Sequence, residues 1–400
     1  MATKTGVWDL QEVRDKQLAS EWSYDSPVSG YLWAWGENGS GTMGVNDRTN
    51  YSSPKQVGTN STWSVLNTSG SESQMAVGIK SDGTLWTWGR NYNGSLGLND
   101  TAWRSSPTQV PGTYLVPSDE DPYNDRTGTI ASRNSTQAIK SDGTLWTMGY
   151  NEFGQFGFGS NGDQLSSPTQ VGTDTTWKHI TTGRDSGFVA IKTDGTLWSW
   201  GRNGNGTLGL GNQTSVSSPT QVGSDTTWLG VTMQAQTTQA IKTDGTLWVW
   251  GGNGYGTLGL NNTTSHYSPV QIPGTWRNCG VTVGDGQLAF KSDGTLWAWG
   301  RNENGIYGNN TQGDASSRSS PTQVGTDTNW QNATAIRAQS SVMATKTDGT
   351  LWAWGANQKG ILGQNQSYQV ERSSPTQIGT DTTWQPRLAG GYANSFAIKS

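Results

Sequence analysis

Apolar and polar residues alternate in short stretches along this chain, and each stretch is closed off by Gly, Asp, Asn or Pro. A period of two is the signature of a strand with one packed face, because successive side chains point to opposite sides of the pleat. Residues 240–251, AIKTDGTLWVWG, carry two such stretches joined by Asp-Gly. That dipeptide is the strongest short hairpin signal, since tight hairpin turns need positive φ and Gly adopts it freely.

The hairpin repeats. LWxWG occurs at 32–36, 85–89, 145–149, 197–201, 247–251, 296–300 and 351–355, with Met148 in place of the second Trp in the third copy. The first Trp positions (33, 86, 146, 198, 248, 297, 352) are spaced by 53, 60, 52, 50, 49 and 55 residues. A period near fifty is that of a propeller. Each unit reads as four strands, such as 177–183, 187–192, 196–201 and 217–223; the proline of the last suits an edge strand, where a missing N–H breaks no ladder. The third strand occurs seven times, and the SP fourth strand does too, at Pro54, Pro107, Pro168, Pro219, Pro269, Pro321 and Pro375. Second strands end at Lys80, Lys140, Lys192, Lys242, Lys291, Lys346 and Lys399, again seven. The array begins with a third strand and ends with a second. The pattern therefore predicts an all-β, seven-bladed propeller of four-stranded antiparallel blades, closed by pairing the C-terminal two strands with the N-terminal two. Gly30, Leu32, Trp33, Phe396, Ile398 and Ser400 are the expected closure residues. The abrupt end at Ser400 then reads as a latch and not as a truncation.

Composition changes the picture of the core. Among 400 residues there are 22 Trp and 55 Gly, with 31% hydrophobic and 14% charged. Trp must supply much of the buried area, at roughly 150–250 Å² per ring. Thirteen Trp lie in LWxWG and six precede first strands, at 63, 177, 228, 276, 330 and 384; Trp8, Trp22 and Trp103 stand outside. Both Trp of one LWxWG share a face, so packing between blades is expected of them.

The consensus DGTLWxWGxNxxGxLGLG…SSPTQVG resembles the regulator of chromosome condensation repeat, and the resemblance covers residues 29–400. It implies a seven-bladed propeller. It also implies, through the family archetype, nucleotide exchange on a small GTPase and chromatin binding. Family repeats carry a His-Ser pair before the second strand; here the chain reads GRDSGFVAIK, AQTTQAIK and AQSSVMATK, without histidine and without a basic tail. Exchange activity is not expected. Residues 1–28 precede the repeats and form a separate N-terminal arm, in which Trp8, Leu10, Val13, Leu18 and Trp22 are the candidate anchor. The opening GVWDLQE resembles the N-termini of virion and tail-fibre-associated proteins of marine bacteriophages.

Charge and chemistry narrow the function classes. The net charge is -4, and no basic run offers a footprint for nucleic acid. A single cysteine, Cys279, excludes an internal disulfide framework. No signal peptide and no apolar run of membrane length is present, so no membrane partner is expected. His179 and His266 have no nucleophile or metal-ligand spacing beside them. The repeated Asp of S/TDG fits its turn, and the GxG strings link strands where a phosphate loop must open a helix. No catalytic residue, cofactor site or assigned metal site is expected. The candidate ligand loops are the departures from the repeat: Tyr114, Asp119, Glu120, Asp121, Tyr123 and Asp125 in the long insertion, then Tyr307 and Tyr368. The acidic cluster 119–125 is also a candidate for a divalent ion, since hard cations take oxygen ligands. The expectation is a non-enzymatic structural or binding module. The leading reading is a bacteriophage virion component (capsid decoration, tail or fibre) made in the host cytoplasm and anchored to other virion proteins by its arm. The alternatives are a receptor- or glycan-binding protein using propeller-face loops, and a regulator of a small GTPase.

Overall fold

The computed structural model describes residues 29–400, apart from 69–73, 117–127, 133, 184–185, 235, 281, 284, 337–339, 367–370 and 392. Among the described residues seven antiparallel sheets form a closed propeller. The blades are numbered here by their third strands: Tyr31–Gly36 in blade 1, then Leu85–Gly89, Leu145–Tyr150, Leu197–Gly201, Leu247–Gly251, Leu296–Gly300 and Leu351–Gly355 in blades 2 to 7. First strands of neighbouring blades lie side by side, as Trp330–Ile336 does with Trp384–Gly390 and Trp177–Thr182 with Trp228–Gln234. The proline-bearing fourth strand is therefore the outer edge. Two 3-10 turns, Asp314–Ser316 and Gln358–Gly360, are the helical elements among the described residues, and no helix there is long and apolar enough to cross a membrane.

Blade 1 draws on both ends of the repeat array. Its strand order is Tyr51–Gln56, Tyr31–Gly36, Asn394–Lys399, Trp384–Gly390. The register puts Leu32 opposite Ile398, Trp33 opposite Ala397 and Ala34 opposite Phe396. Beyond the ladder, the Gly30 N–H donates to the Trp63 carbonyl at 3.0 Å, and the Ser400 N–H donates to the Thr383 carbonyl at 3.1 Å. Gly30 is required by close approach: a Cβ there would run into the Lys399 carbonyl and come within 2.9 Å of Ile398 Cγ2.

What seals one blade to the next is the second Trp of LWxWG. Trp35, Trp88, Trp200, Trp250, Trp299 and Trp354 are all fully buried. Each indole Nε1 donates back to a carbonyl of the preceding blade: in the same order, Ile361 (2.8 Å), Thr42 (2.6 Å), Gln155 (2.9 Å), Thr207 (2.7 Å), Thr257 (2.9 Å) and Ile306 (2.8 Å) are the acceptors. A buried ring that also satisfies its N–H loses nothing for the polar atom it carries. At blade 3, where Met148 replaces the Trp, the equivalent Ser95 carbonyl accepts from Thr136 Oγ1 at 2.8 Å.

The first Trp of LWxWG plays a different part. It lies edge-on to the Trp that opens the first strand, as Trp63 does with Trp86 (6.3 Å) and Trp177 with Trp198 (6.3 Å). The lysine ending the second strand covers it, with Nζ between 3.3 and 4.0 Å from the ring centroid in blades 2 to 7. Such stacking of a cation on a ring face is favourable by about 0.5–2 kcal/mol. Blade 6 departs from the plan: its first strand breaks into Trp276–Asn278 and Thr282–Val283. The break falls at Gly280, whose Cβ would come within 2.7 Å of Ala289 Cα.

Candidate functional site

Third and fourth strands are joined at one end of every blade by an NxxGxxG loop, and a buried asparagine fixes its shape. In blade 2, Asn91 Nδ2 donates to the Asp100 and Ala102 carbonyls, at 2.9 and 3.2 Å, while its Oδ1 accepts the Leu96 N–H at 2.9 Å. Asn38, Asn151, Asn203, Asn253, Asn302 and Asn357 accept the corresponding N–H five residues on. The first loop glycine has positive φ and lies against the next blade; at Gly41 (φ 74°) a Cβ would meet Ser105 Cα at 2.7 Å. These loops are thus rigid platforms on which the variable positions stand, as suits a binding surface.

Arginines and aromatics occupy several of those positions. Arg90, Arg202 and Arg301 follow the WG of blades 2, 4 and 6. Arg202 Cζ lies 4.8 Å from the Phe153 ring centre, and Arg301 Cζ is 4.8 Å from that of Tyr255. Arg90 stacks over Trp103 at 5.4 Å, and Arg48 reaches the same ring at 5.6 Å. Tyr92 meets Trp103 edge-on at 5.0 Å. Arg301 also pairs with Asp314 at 2.7 Å and Glu303 at 2.9 Å, and the Asp314 hydrogen bond is the main cause that raises its pKa further above the ordinary range. Among the described residues four large hydrophobic side chains are exposed, and three of them, Tyr92 (65%), Tyr255 (45%) and Phe158 (38%), belong to these loops. The fourth, Tyr31, starts a third strand at the opposite end of its blade.

Two expected ligand residues are corrected. Tyr114 is buried, and its hydroxyl donates to the Pro111 carbonyl at 3.0 Å. It bridges to Lys140, and its N–H donates to the Gly83 carbonyl, just as first-strand tryptophans do. Tyr114 is therefore blade 3's counterpart of Trp63 and the others, the seventh wedge. Burial pushes its hydroxyl up to about 12. Tyr307 takes the core position held by Leu96, Leu208 and Leu258 elsewhere; it is buried, donates to the Gly300 carbonyl at 2.6 Å and accepts the Arg318 N–H at 2.7 Å. Both hydroxyls are spent on backbone groups inside the propeller. Asp119, Glu120, Asp121, Tyr123, Asp125 and Tyr368, with the anchor set Trp8, Leu10, Val13, Leu18 and Trp22, lie outside the described residues.

The histidines and the turn aspartates belong to the scaffold. His179 is buried with Nε2 2.8 Å from the Val231 carbonyl. His266 begins a fourth strand, His266–Ile272. In each hairpin turn the Asp accepts from the following Thr, as Asp82 does from the Thr84 N–H (2.9 Å) and Oγ1 (2.7 Å), and these bonds hold its carboxyl below the usual range. That Thr Oγ1 in turn accepts the first Trp: Trp86 to Thr84 at 2.9 Å, Trp352 to Thr350 at 2.8 Å. Among the described residues no group of three or more His, Cys, Asp or Glu is placed to hold a metal ion.

A closed ring of rigid loops with arginines and aromatics on one end defines a propeller binding scaffold. The model of the "Regulator of chromosome condensation (RCC1) repeat" matches residues 82–115, 142–190, 194–233, 244–287, 293–338 and 348–398, more than half of the chain. The chain belongs to that family. It is similar to the Ultraviolet-B receptor UVR8 of Arabidopsis thaliana, 28% identical over 217 residues, which is 53% of this chain and 47% of that protein. It is similar to human Protein RCC2, 32% identical over 103 residues, or 26% of this chain and 18% of that one. The chain thus spans less than half the length of these relatives. Prp20p from Saccharomyces cerevisiae, whose structure is described with its binding to Gsp1p and histones, superposes with a TM-score of 0.74 at 16% identity over 93% of this chain and 92% of that one. At that identity the likeness is one of fold.

Proposed function

We propose that this chain is a non-enzymatic binding module that docks a protein partner on its loop-bearing end. The observation that carries this is the concentration of Tyr92, Tyr255 and Phe158 beside Arg90, Arg202 and Arg301 on Asn-fixed loops. Interface cores favour aromatic and Arg side chains. An acidic partner surface complements the arginines. Changing Tyr92, Tyr255 and Arg202 together to Ser should leave the melting temperature within about 2 °C, since exposed positions contribute little, and should abolish partner capture. Cross-linking mass spectrometry reads the capture. Cross-links concentrated on another surface would overturn the reading.

Within that reading, the finer assignment is a component of a bacteriophage particle held to other virion proteins by residues 1–28. Its support is the resemblance of the opening sequence. Mass spectrometry of purified particles tests it: a chain lacking 1–28 should be lost from them, and full occupancy without the arm would refute anchoring. Recognition of a host glycan or receptor draws on the same exposed aromatics and is read on a glycan array or on whole host cells. Regulation of a small GTPase would require accelerated nucleotide release, and we expect none.

A further inference from the structure

The groove between blades 7 and 1 differs from its counterparts. At three junctions the residue after the second loop glycine is apolar and packs in one cluster with the first Trp of the next blade, Val45 with Trp86, Leu210 with Trp248 and Leu260 with Trp297, whereas between blades 6 and 7 it is Asn309. Between blades 7 and 1 the residue is Gln364. A cavity of about 580 Å³ remains there, walled by Trp33, Pro54, Gln364, Arg372, Ile378 and Lys399. That volume lies within the roughly 300–1,000 Å³ of ligand sites.

Three buried polar atoms of its wall residues have no partner among the described residues: Trp33 Nε1, Arg372 Nε and Gln364 Oε1. Each is unpaired for an identifiable reason. Tyr31 stands where the other blades have the Thr that accepts the first Trp. Arg372 donates through Nη2 to Gln366 Oε1 at 3.0 Å, whereas its counterpart Arg104 has a carboxylate, Asp100, at 2.6 Å. Gln364 Nε2 is used on the Thr376 carbonyl at 3.3 Å, which leaves its Oε1. Lys399 pairs with Asp381 at 2.8 Å and sits 5.6 Å from the Trp33 ring centre, farther than any other lysine from its first Trp. Lys399 and Asp381 cancel, so among the described lining residues the unbalanced charge is the Arg372 guanidinium.

We propose that this groove binds a carboxylated sugar ring, of the uronic acid class. The apolar face of the ring packs on Trp33. Turning of these side chains toward the groove brings the three buried atoms to the ring: one hydroxyl accepts from Trp33 Nε1, another donates to Gln364 Oε1, and the carboxylate accepts from Arg372 Nε. A bare anion would leave Gln364 Oε1 and the indole face unused, and an apolar ligand would leave all three atoms unpaired. The site is separate from the loop-bearing end, so its failure leaves the protein-docking reading untouched.

Calorimetric titration of the full chain tests the proposal, with methyl glucuronide, methyl glucoside and a short oligouronide as probes. The acid should bind about tenfold tighter than the neutral glycoside, the size expected for one charge-assisted hydrogen bond. Tighter binding of the oligouronide than of the single ring would identify a polymer as the source; equal binding would identify the free acid. Arg372→Gln should bring acid and neutral probes to one affinity. Gln364→Leu, which restores the apolar filler, should abolish binding without lowering the melting temperature. Tyr31→Thr installs the acceptor that other blades already have, and should weaken binding about tenfold by occupying Trp33 Nε1. Absence of heat with every uronide, equal affinity for acid and neutral probes, or a Gln364→Leu chain that binds like wild type would overturn the proposal.

Discussion

Blades 7 and 1 sit side by side and are built from the same four-strand pattern, yet only one is continuous in the chain. In blade 7 the second and third strands are tied by the Lys346-Thr-Asp-Gly-Thr350 turn, with the Lys346 N–H donating to the Thr350 carbonyl at 3.1 Å. In blade 1 the same two strands meet between Lys399 and Tyr31 with no turn between them. The ladder register survives that gap, so strand pairing does not depend on the hairpin. What the gap removes is the turn's side-chain chemistry. Trp352 has Thr350 Oγ1 at 2.8 Å and Lys346 at 4.0 Å over its ring; Trp33 has neither at that distance. Backbone pairing closes the ring, and the turn finishes the tryptophan.

The largest effect should come from breaking the closure itself. Removing residues 394–400 deletes the strand that joins Trp384–Gly390 to Tyr31–Gly36 and leaves two unpaired edges inside the ring. We expect loss of the cooperative melt and an increased radius of gyration in solution scattering. A chain that stays compact and melts cooperatively would mean that neighbouring blades alone hold the ring.

Next are the seals between blades. Trp354→Ala and Trp35→Ala each delete a fully buried ring and its bond to the preceding blade. Each should cost about 3–5 kcal/mol by chemical denaturation. The comparison separates them by hydrogen exchange: amides of Asn394–Lys399 should exchange faster in Trp35→Ala, whereas Ser341–Lys346 should stay protected in Trp354→Ala because its hairpin is intact.

The ring, its blade number and its closing pairing were all legible from one repeated motif, because a strand period of two, Asp-Gly turns and edge prolines are local signals. The side-chain assignments were less legible. Tyr114 and Tyr307 look like insertion residues, yet each fills a slot defined by its repeats: the wedge before a first strand and the core residue of a loop. Aligning GTY with GTW and GIYG with GTLG reveals both, but aromatic identity alone points toward a ligand. The arginines after WG recur only in every second blade, and their partners Phe153, Tyr255 and Trp103 come together only through the loop geometry. The unpaired Trp33 is also invisible locally, since its missing partner is defined by what six other blades have.

That missing partner supplies a smaller test. Thr350→Val leaves Trp352 Nε1 without an acceptor and should cost about 1 kcal/mol. Tyr31→Thr should return a similar amount to blade 1 if the turn chemistry is local. No gain from Tyr31→Thr would show that the open chain ends hold the hydroxyl away from the indole.

The smallest effect concerns the lysines that cover the first tryptophans, and it turns on pH. Lys242 pairs with Asp225 from the preceding loop, whereas blade 2 has Asn60 at that place, and among the described residues the carboxylate acting on Lys80 is Asp82 of its own turn, without a salt bridge. The hydrogen bonds of Lys242 and Thr227 hold the Asp225 carboxyl at about 2, below its ordinary 3.8. A carboxyl with a depressed folded pKa gives stability that is complete above the ordinary value and is lost as pH falls from about 4 toward 2. Asp225 is 35% exposed, so solvent screening limits the amount to a few tenths of a kcal/mol. Asp225→Asn should remove that part of the acid dependence and change little at neutral pH. The reverse change, Asn60→Asp, keeps the loop bonds to Thr62 and gives Lys80 a carboxylate to pair with. Burial now holds the Lys80 ammonium below its usual range. Its titration, followed by NMR of Nζ-labelled lysine, should move upward in Asn60→Asp. No movement would mean that the cation over Trp86 is set by the ring alone.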